Sequence, residues 1–100
     1  MIMYKFNEDK NLKLLEKHIK STYSSHYSKN KFQATEIIFD AGHGEGFCIG
    51  NIIKYALRYG KKGGHNKADL MKIAHYVVMA MHLHDENTTV KQKDDGNDMS

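Results

Sequence analysis

The chain has 100 residues, of which 40% are apolar and 27% are charged, and its formal net charge is +3. That length suits one domain, and no apolar run approaches the roughly 20 residues that a transmembrane helix needs. The single cysteine, Cys48, excludes an internal disulfide bond. Because the N-terminus carries no signal-type apolar stretch, we expect a protein of the cytoplasm without a membrane partner.

The first half of the chain predicts two helices. From about residue 8 to residue 23, apolar side chains recur at spacings of three and four, which is typical of one side of a helix. They are Leu12, Leu15 and Ile19. Residues 33–41 contain several residues that favour strands, but a single short strand would have no partner, so we predict a short helix. Three glycines within residues 42–46 then predict a flexible loop.

Two amphipathic helices are predicted in the second half, joined by a basic, glycine-rich connector at residues 60–64. Asn66 is the predicted N-cap of the last helix, and Asp69 occupies its third position. The apolar stripe of the central helix is Ile49, Ile52, Ile53 and Ala56. The stripe of the last helix is Leu70, Ile73, Ala74, Val77 and Met81. We predict that the helices pack through these stripes as an antiparallel hairpin.

The predicted fold class is therefore all-α. An antiparallel helical hairpin forms the centre of the domain, and one or two additional helices precede it. The domain covers residues 1–85. Residues 86–100 are acidic and contain almost nothing apolar, so ordering them would gain too little to offset the lost entropy, and we predict a disordered tail.

Positive charge is concentrated in residues 50–72, which contain six basic residues and one acidic residue, a net charge of +5. Such a segment attracts anions, and phosphates are the usual candidates. An ordinary solvated helix surface explains the same charges. Residues 73–100, by contrast, carry a net charge of −3.

Two common phosphate-binding motifs and the common metal motifs are absent from the sequence. The glycines of residues 42–46 lack the third glycine of a dinucleotide-binding loop, and no Walker loop occurs. The seven histidines have no H-E-x-x-H or Cys-His spacing, so no metal ligand is predicted. Cys48 lies beside the apolar stripe, and we interpret it as a core residue and not as a nucleophile.

One group of basic and aromatic side chains on the hairpin suits a nucleotide. Lys54 and Arg58 are one helical turn apart, so they repel each other, and a bound anion would relieve that repulsion. Lys62 and Lys72 extend the positive field, and tyrosine rings could pack against a base. The tyrosines are Tyr55 and Tyr76. The alternative is that Lys54 and Arg58 lie on an ordinary solvated surface and that the two tyrosines pack partly in the core.

Several short runs resemble a small bacteriophage family that is often labelled nucleotide-kinase-like, after a member that phosphorylates deoxynucleoside monophosphates without a Walker loop. The runs are His26-Tyr27, Gly50-Asn51-Ile52-Ile53-Lys54-Tyr55 with Arg58 and Lys62, and Asp69-Leu70 with Lys72 and Tyr76. The resemblance covers about residues 26–83. It implies a phage protein in the host bacterial cytoplasm.

The enzymatic function that the resemblance implies is phosphoryl transfer from a nucleoside triphosphate to a nucleoside monophosphate. Its implied catalytic residues are Lys54, Arg58 and Asp69. Its implied substrate-binding residues are His26, Tyr27, Asn51, Tyr55, Lys62, Lys72 and Tyr76. Asp69 has two simpler interpretations, as a helix-start residue or as a partner of Arg58. The sequence leaves the requirement for Mg²⁺ open.

Two other functions remain open at this point. The same residues could hold a nucleotide or another phosphorylated small molecule without turnover, for example a signalling nucleotide sequestered during infection against a host defence. The basic hairpin could instead bind nucleic acid, although the acidic tail would compete for it. A small helical domain of this kind often gains stability by assembling with copies of itself, so we expect a homo-oligomer.

Overall fold

The computed structural model describes the backbone of residues 1–24 and 26–95, and the side chains of residues 1–24 and 29–87. Its helices are α1 (Glu8–Thr22), α2 (His26–Asp40), α3 (Gly44–Arg58) and α4 (Lys67–Asp95). The described residues contain no strand, which confirms the all-α fold class. None of their helices is long and apolar enough to cross a membrane.

The second helix and the glycine loop differ from their predicted bounds. α2 begins seven residues before the predicted start at residue 33, because the polar residues before it are compatible with a helix that packing stabilises. The predicted loop at residues 42–46 is shorter than expected, since α3 already begins at Gly44. Of the three glycines in residues 42–46, Gly42 has a positive φ, of 88°, and it makes the turn between α2 and α3.

α3 and α4 form the predicted antiparallel hairpin. The connector reverses the chain through Gly60, Gly63 and Gly64, whose φ angles are 86°, 78° and 75°. Asn66 caps α4 as predicted, since its Oδ1 accepts a hydrogen bond of 2.9 Å from the backbone N–H of Ala68. The hairpin thereby fixes the relative positions of the charged and aromatic side chains on its two helices.

The packing between α3 and α4 uses the predicted apolar stripes only in part, since Ile52 and Ile73 are half-buried but most other members are exposed. Cys48 and Tyr76 are the buried apolar residues of the hairpin, whereas Val77 and Met81 are 41% and 60% exposed and Ile53 is also exposed. Hydrophobic periodicity assigns the apolar side of a helix to the interior. Here that side is largely exposed, and residues with polar groups face the partner helix instead.

The predicted tail, residues 86–100, is described only in part. The backbone of α4 is helical to Asp95, past the predicted start of the tail at residue 86. The sequence between residues 65 and 95 contains neither glycine nor proline, so no helix-breaking residue interrupts α4. Side chains beyond residue 87 and residues 96–100 lie outside the described residues, and disorder there stays a prediction.

Gly44 and Gly46 give a matched test of helix packing. A Cβ atom on Gly44 would lie 2.7 Å from Leu83 Cδ1 and 3.0 Å from Phe39 Cδ1, whereas one on Gly46 would meet nothing within 4 Å. Gly44→Ala should therefore destabilise the fold by about 1–3 kcal/mol through overpacking. Gly46→Ala should stabilise it by about 0.5–1 kcal/mol, because alanine favours helices. Thermal unfolding followed by circular dichroism measures both, and equal shifts would contradict the close contact at Gly44.

His75 links α4 to the first two helices. It is 8% exposed, and its ring centroid lies 6.2 Å from that of His18 and 6.3 Å from that of Phe32. Burial lowers the pKa of His75, and the nearby charges of His18 and Lys31 lower it further. The folded protein therefore resists protonating this imidazole.

This lowered pKa predicts a stability that depends on pH. The unfolded chain takes up a proton at His75 near pH 6.5 and the folded chain only at lower pH, so stability should be lost as the pH falls below about 6.5. Melting temperatures recorded between pH 8 and pH 5 should decrease, and His75→Gln should flatten that decrease. His43→Gln, at an exposed position, is the control and should leave the slope unchanged; a slope unaffected by His75→Gln would contradict the assignment.

Candidate functional site

Two stacked tyrosines form the centre of the site. The rings of Tyr55 on α3 and Tyr76 on α4 are nearly parallel, with an interplanar angle of 14° and centroids 6.3 Å apart. Phe47 contacts Tyr76 edge-on, at 5.7 Å. Tyr76 is 6% exposed and Tyr55 is half-buried. Tyr76 thus packs in the hairpin and supports Tyr55, which keeps exposed ring surface.

Two lysines from different helices lie over the same ring. The Nζ atom of Lys54 is 4.6 Å from the centroid of Tyr55, and that of Lys72 is 5.0 Å from it. Neither lysine forms an ion pair with a carboxylate among the described side chains. The ring quadrupole stabilises an exposed cation by only about 0.5–1 kcal/mol, so both ammonium groups can still bind an anion.

Lys31 on α2 adds a third ammonium group, which the sequence did not identify. Its Nζ atom lies 6.0 Å from the centroid of Tyr76. Sequence reasoning missed it because the second helix was predicted to begin after this residue. We call Lys31, Lys54, Lys72, Tyr55 and Tyr76 the lysine–tyrosine cluster.

Arg58 and Asp69 form an ion pair beside the cluster. Arg58 Nε lies 3.5 Å from Asp69 Oδ1, and the two side chains are 41% and 3% exposed. The contact uses Nε, which leaves the two terminal amino groups of the guanidinium for an anion. The second carboxylate oxygen, Oδ2, is buried and has no hydrogen-bond partner among the described residues. Both simpler interpretations of Asp69 are confirmed, since it pairs with Arg58 and lies in the first turn of α4.

The other substrate-binding residues that the resemblance implies are Asn51, Lys62, His26 and Tyr27. Asn51 Nδ2 donates a hydrogen bond of 2.9 Å to the carbonyl oxygen of Phe47 one turn earlier, so the amide oxygen is left as an acceptor. Lys62 lies in the exposed connector and forms no ion pair or ring contact among the described side chains. The side chains of His26 and Tyr27 lie outside the described residues, and their roles stay predictions.

Two buried groups of the hairpin are held in their neutral forms. Burial raises the pKa of the Cys48 thiol, which is fully buried. Burial also raises the pKa of the Tyr76 hydroxyl, and the neighbouring Tyr55 and Cys48 raise it further. Cys48 is therefore a core residue, as predicted from its position. Neither group supplies a thiolate or a phenolate at neutral pH.

The family comparison covers the part of the chain that builds this site. Residues 21–78 match the family model described as a protein of unknown function, DUF3310. The chain belongs to the DUF3310 family. No match was found to a curated protein or to a solved structure.

The DUF3310 region spans α2, α3 and the first part of α4. It therefore contains the whole lysine–tyrosine cluster and the Arg58–Asp69 pair. Nearly all of α1 lies outside it.

Proposed function

We propose that this DUF3310 protein binds a nucleotide through its phosphates at the lysine–tyrosine cluster. The observation that carries the proposal is the convergence of Lys54 and Lys72, from two helices, on one ring without a carboxylate partner among the described side chains. Charge-assisted hydrogen bonds to phosphate oxygens are the interactions that such ammonium groups form best. Lys31 and Arg58 place further positive charge beside them.

The nucleoside part of the ligand fits the groups next to the phosphate position. Tyr55 keeps part of its ring exposed beside the two ammonium groups, and the edge of this ring can contact the nucleoside. Asn51 offers its amide oxygen as an acceptor and the second N–H of its amide as a donor, since one N–H is bonded to the carbonyl oxygen of Phe47. This pair of groups suits a sugar hydroxyl, which both donates and accepts hydrogen bonds.

The activity that we propose for this site is phosphoryl transfer from a nucleoside triphosphate to a nucleoside monophosphate. The bond between the γ-phosphorus and its bridging oxygen breaks, the electron pair leaves with the diphosphate, and an oxygen of the monophosphate bonds to the transferred phosphorus. Catalysis of this step consists mainly of positioning and charge neutralisation. Lys54, Lys72 and Arg58 supply the cations, and Asp69 positions Arg58. Resemblance to the phage nucleotide-kinase-like family supports this assignment.

A panel of nucleotides tests binding and turnover together. The purified full chain is incubated with nucleoside mono-, di- and triphosphates, and both melting temperature and product formation are recorded, with and without Mg²⁺. We expect a rise in melting temperature with at least one nucleotide, and conversion of a monophosphate to its diphosphate with equal loss of the triphosphate. If no nucleotide shifts the melting temperature, the proposed site is wrong.

A non-catalytic binding protein is the second candidate function. Its support is the buried Tyr76 and Cys48, whose raised pKa values leave the centre of the hairpin without a reactive base or nucleophile. A melting-temperature shift without any product would favour this candidate over the kinase. Binding of nucleic acid that weakens steeply with salt, together with no response to nucleotides, would favour the third function.

A further inference from the structure

The α3–α4 hairpin has one side that α2 covers and one side that it does not. Phe39 of α2 contacts Phe47 at 6.3 Å, and Phe32 of α2 contacts His75 at 6.3 Å, measured between ring centroids. Ile49 follows Phe47 by two residues and Val77 follows His75 by two residues. At about 100° per residue, each lies on the opposite side of its helix from the contact with α2.

That opposite side is apolar and exposed. Ile49, Val77 and Met81 are 44%, 41% and 60% exposed. Ile52 and Ile73 lie half-buried between them. We call this surface the apolar side of the hairpin; its residues are Ile49, Ile52, Ala56, Ile73, Val77 and Met81.

The apolar side is also free of charge. Between residues 46 and 57 the only charged side chain is Lys54, and between residues 70 and 81 it is Lys72. Both lysines are directed over Tyr55 in the lysine–tyrosine cluster. A partner for this surface must therefore be apolar and uncharged as well, and the same surface on a second copy of the chain has that chemistry.

The described part of the chain also lacks the interior that a stable small domain needs. Cys48 and Tyr76 are its buried apolar residues, and the radius of gyration is 16.0 Å, against about 13 Å for a compact chain of this length. Small domains of this kind commonly complete their core by assembly. A two-helix surface roughly 22 Å long and 20 Å wide has a flat area of about 440 Å², against the ~800 Å² of accessible surface that each partner buries in a standard interface, so we expect a weak dimer that dissociates on dilution.

We propose that two copies of this chain pack through the apolar sides of their hairpins and form a four-helix bundle related by a two-fold axis. α2 and the lysine–tyrosine cluster of each copy then lie away from the interface. Each copy keeps its own anion site, so dimerisation and nucleotide binding are separable properties.

Light scattering coupled to size-exclusion chromatography tests the proposal on the full chain over a range of concentrations. At the highest concentrations the wild type should have twice the 11.5 kDa mass of one chain. Val77→Lys and Ile49→Lys should reduce the mass to that of one chain, because each buries a charge in the interface. Ile37→Lys, at an exposed isoleucine of α2, is the control and should remain dimeric.

Circular dichroism of the same samples shows whether each variant keeps its helices. If Val77→Lys fails to fold, Ile49→Ser makes a smaller change on the same side and should weaken the dimer at least tenfold while helicity persists. A wild type that stays at the mass of one chain at every concentration would overturn the proposal. So would a dimer that the folded Ile49 variants leave intact.

Discussion

Arg58→Ala should destabilise the folded protein by roughly 3 kcal/mol, even though Arg58 lies at the surface of the hairpin. Its partner, Asp69, is 2% exposed, and Oδ2 already lacks a hydrogen-bond partner among the described residues. Removal of the guanidinium leaves a buried carboxylate without an ion-pair partner among the described side chains, and the N-terminus of α4 offsets its charge only in part. Chemical denaturation monitored by circular dichroism measures the loss.

A double-mutant cycle identifies the cause of that loss. Asp69→Asn keeps the shape of the side chain and removes its charge, so it should restore much of the stability when it is combined with Arg58→Ala. If Arg58→Ala leaves the free energy of unfolding within about 0.5 kcal/mol of the wild type, Asp69 is not held by this ion pair. The cycle also shows why Arg58→Ala alone is a poor probe of ligand binding, because it changes the fold and the site together.

Lys54→Gln and Lys72→Gln should each weaken nucleotide binding by about one to two powers of ten. A charge-assisted hydrogen bond to phosphate contributes roughly 1.5–3 kcal/mol, and neither lysine has a structural ion-pair partner among the described side chains. Stability should change little, because both ammonium groups lie over the Tyr55 ring and hold no buried charge. Equilibrium dialysis with a radiolabelled nucleotide gives the dissociation constants.

The matched control for these variants is Lys13→Gln. Lys13 lies on the exposed surface of α1, outside the region that matches the DUF3310 family. It carries the same change of net charge, so it accounts for the general electrostatic field of the protein. Equal weakening by Lys13→Gln and Lys54→Gln would show that net charge, and not the cluster, determines the affinity.

The sequence predicts the hairpin well and its interior poorly. Local signals suffice for the glycine connector and for the Asn66 cap, because each depends on a few adjacent residues. Which side chains form the interior depends on how each of the two helices is rotated about its own axis. Hydrophobic periodicity placed Ile53 and Val77 inside, whereas the structure exposes both and buries Tyr76; Cys48 was correctly placed in the core.

In the candidate site, too, the sequence predicts what depends on adjacent residues and misses what depends on how the helices pack. Spacing along α3 correctly grouped Lys54, Tyr55 and Arg58 on one helix, and the charge of residues 50–72 identified the electropositive region. The position of Lys72 over Tyr55 depends on the hairpin register, which no local pattern specifies. Lys31 was missed because the start of α2 was predicted too late, since the polar, serine-containing residues 21–30 are also typical of a loop.

The central claim is that the lysine–tyrosine cluster recognises the phosphates of a nucleotide. Calorimetric titration of the wild type and of the double variant Lys54→Gln/Lys72→Gln, with a nucleoside and with its mono- and triphosphate, tests this claim most directly. We predict that the wild type binds the phosphorylated forms much more tightly than the nucleoside, and that the double variant loses this difference by a factor of about 100 or more. Absence of binding to every nucleotide, or equal affinities in the two proteins, would contradict it.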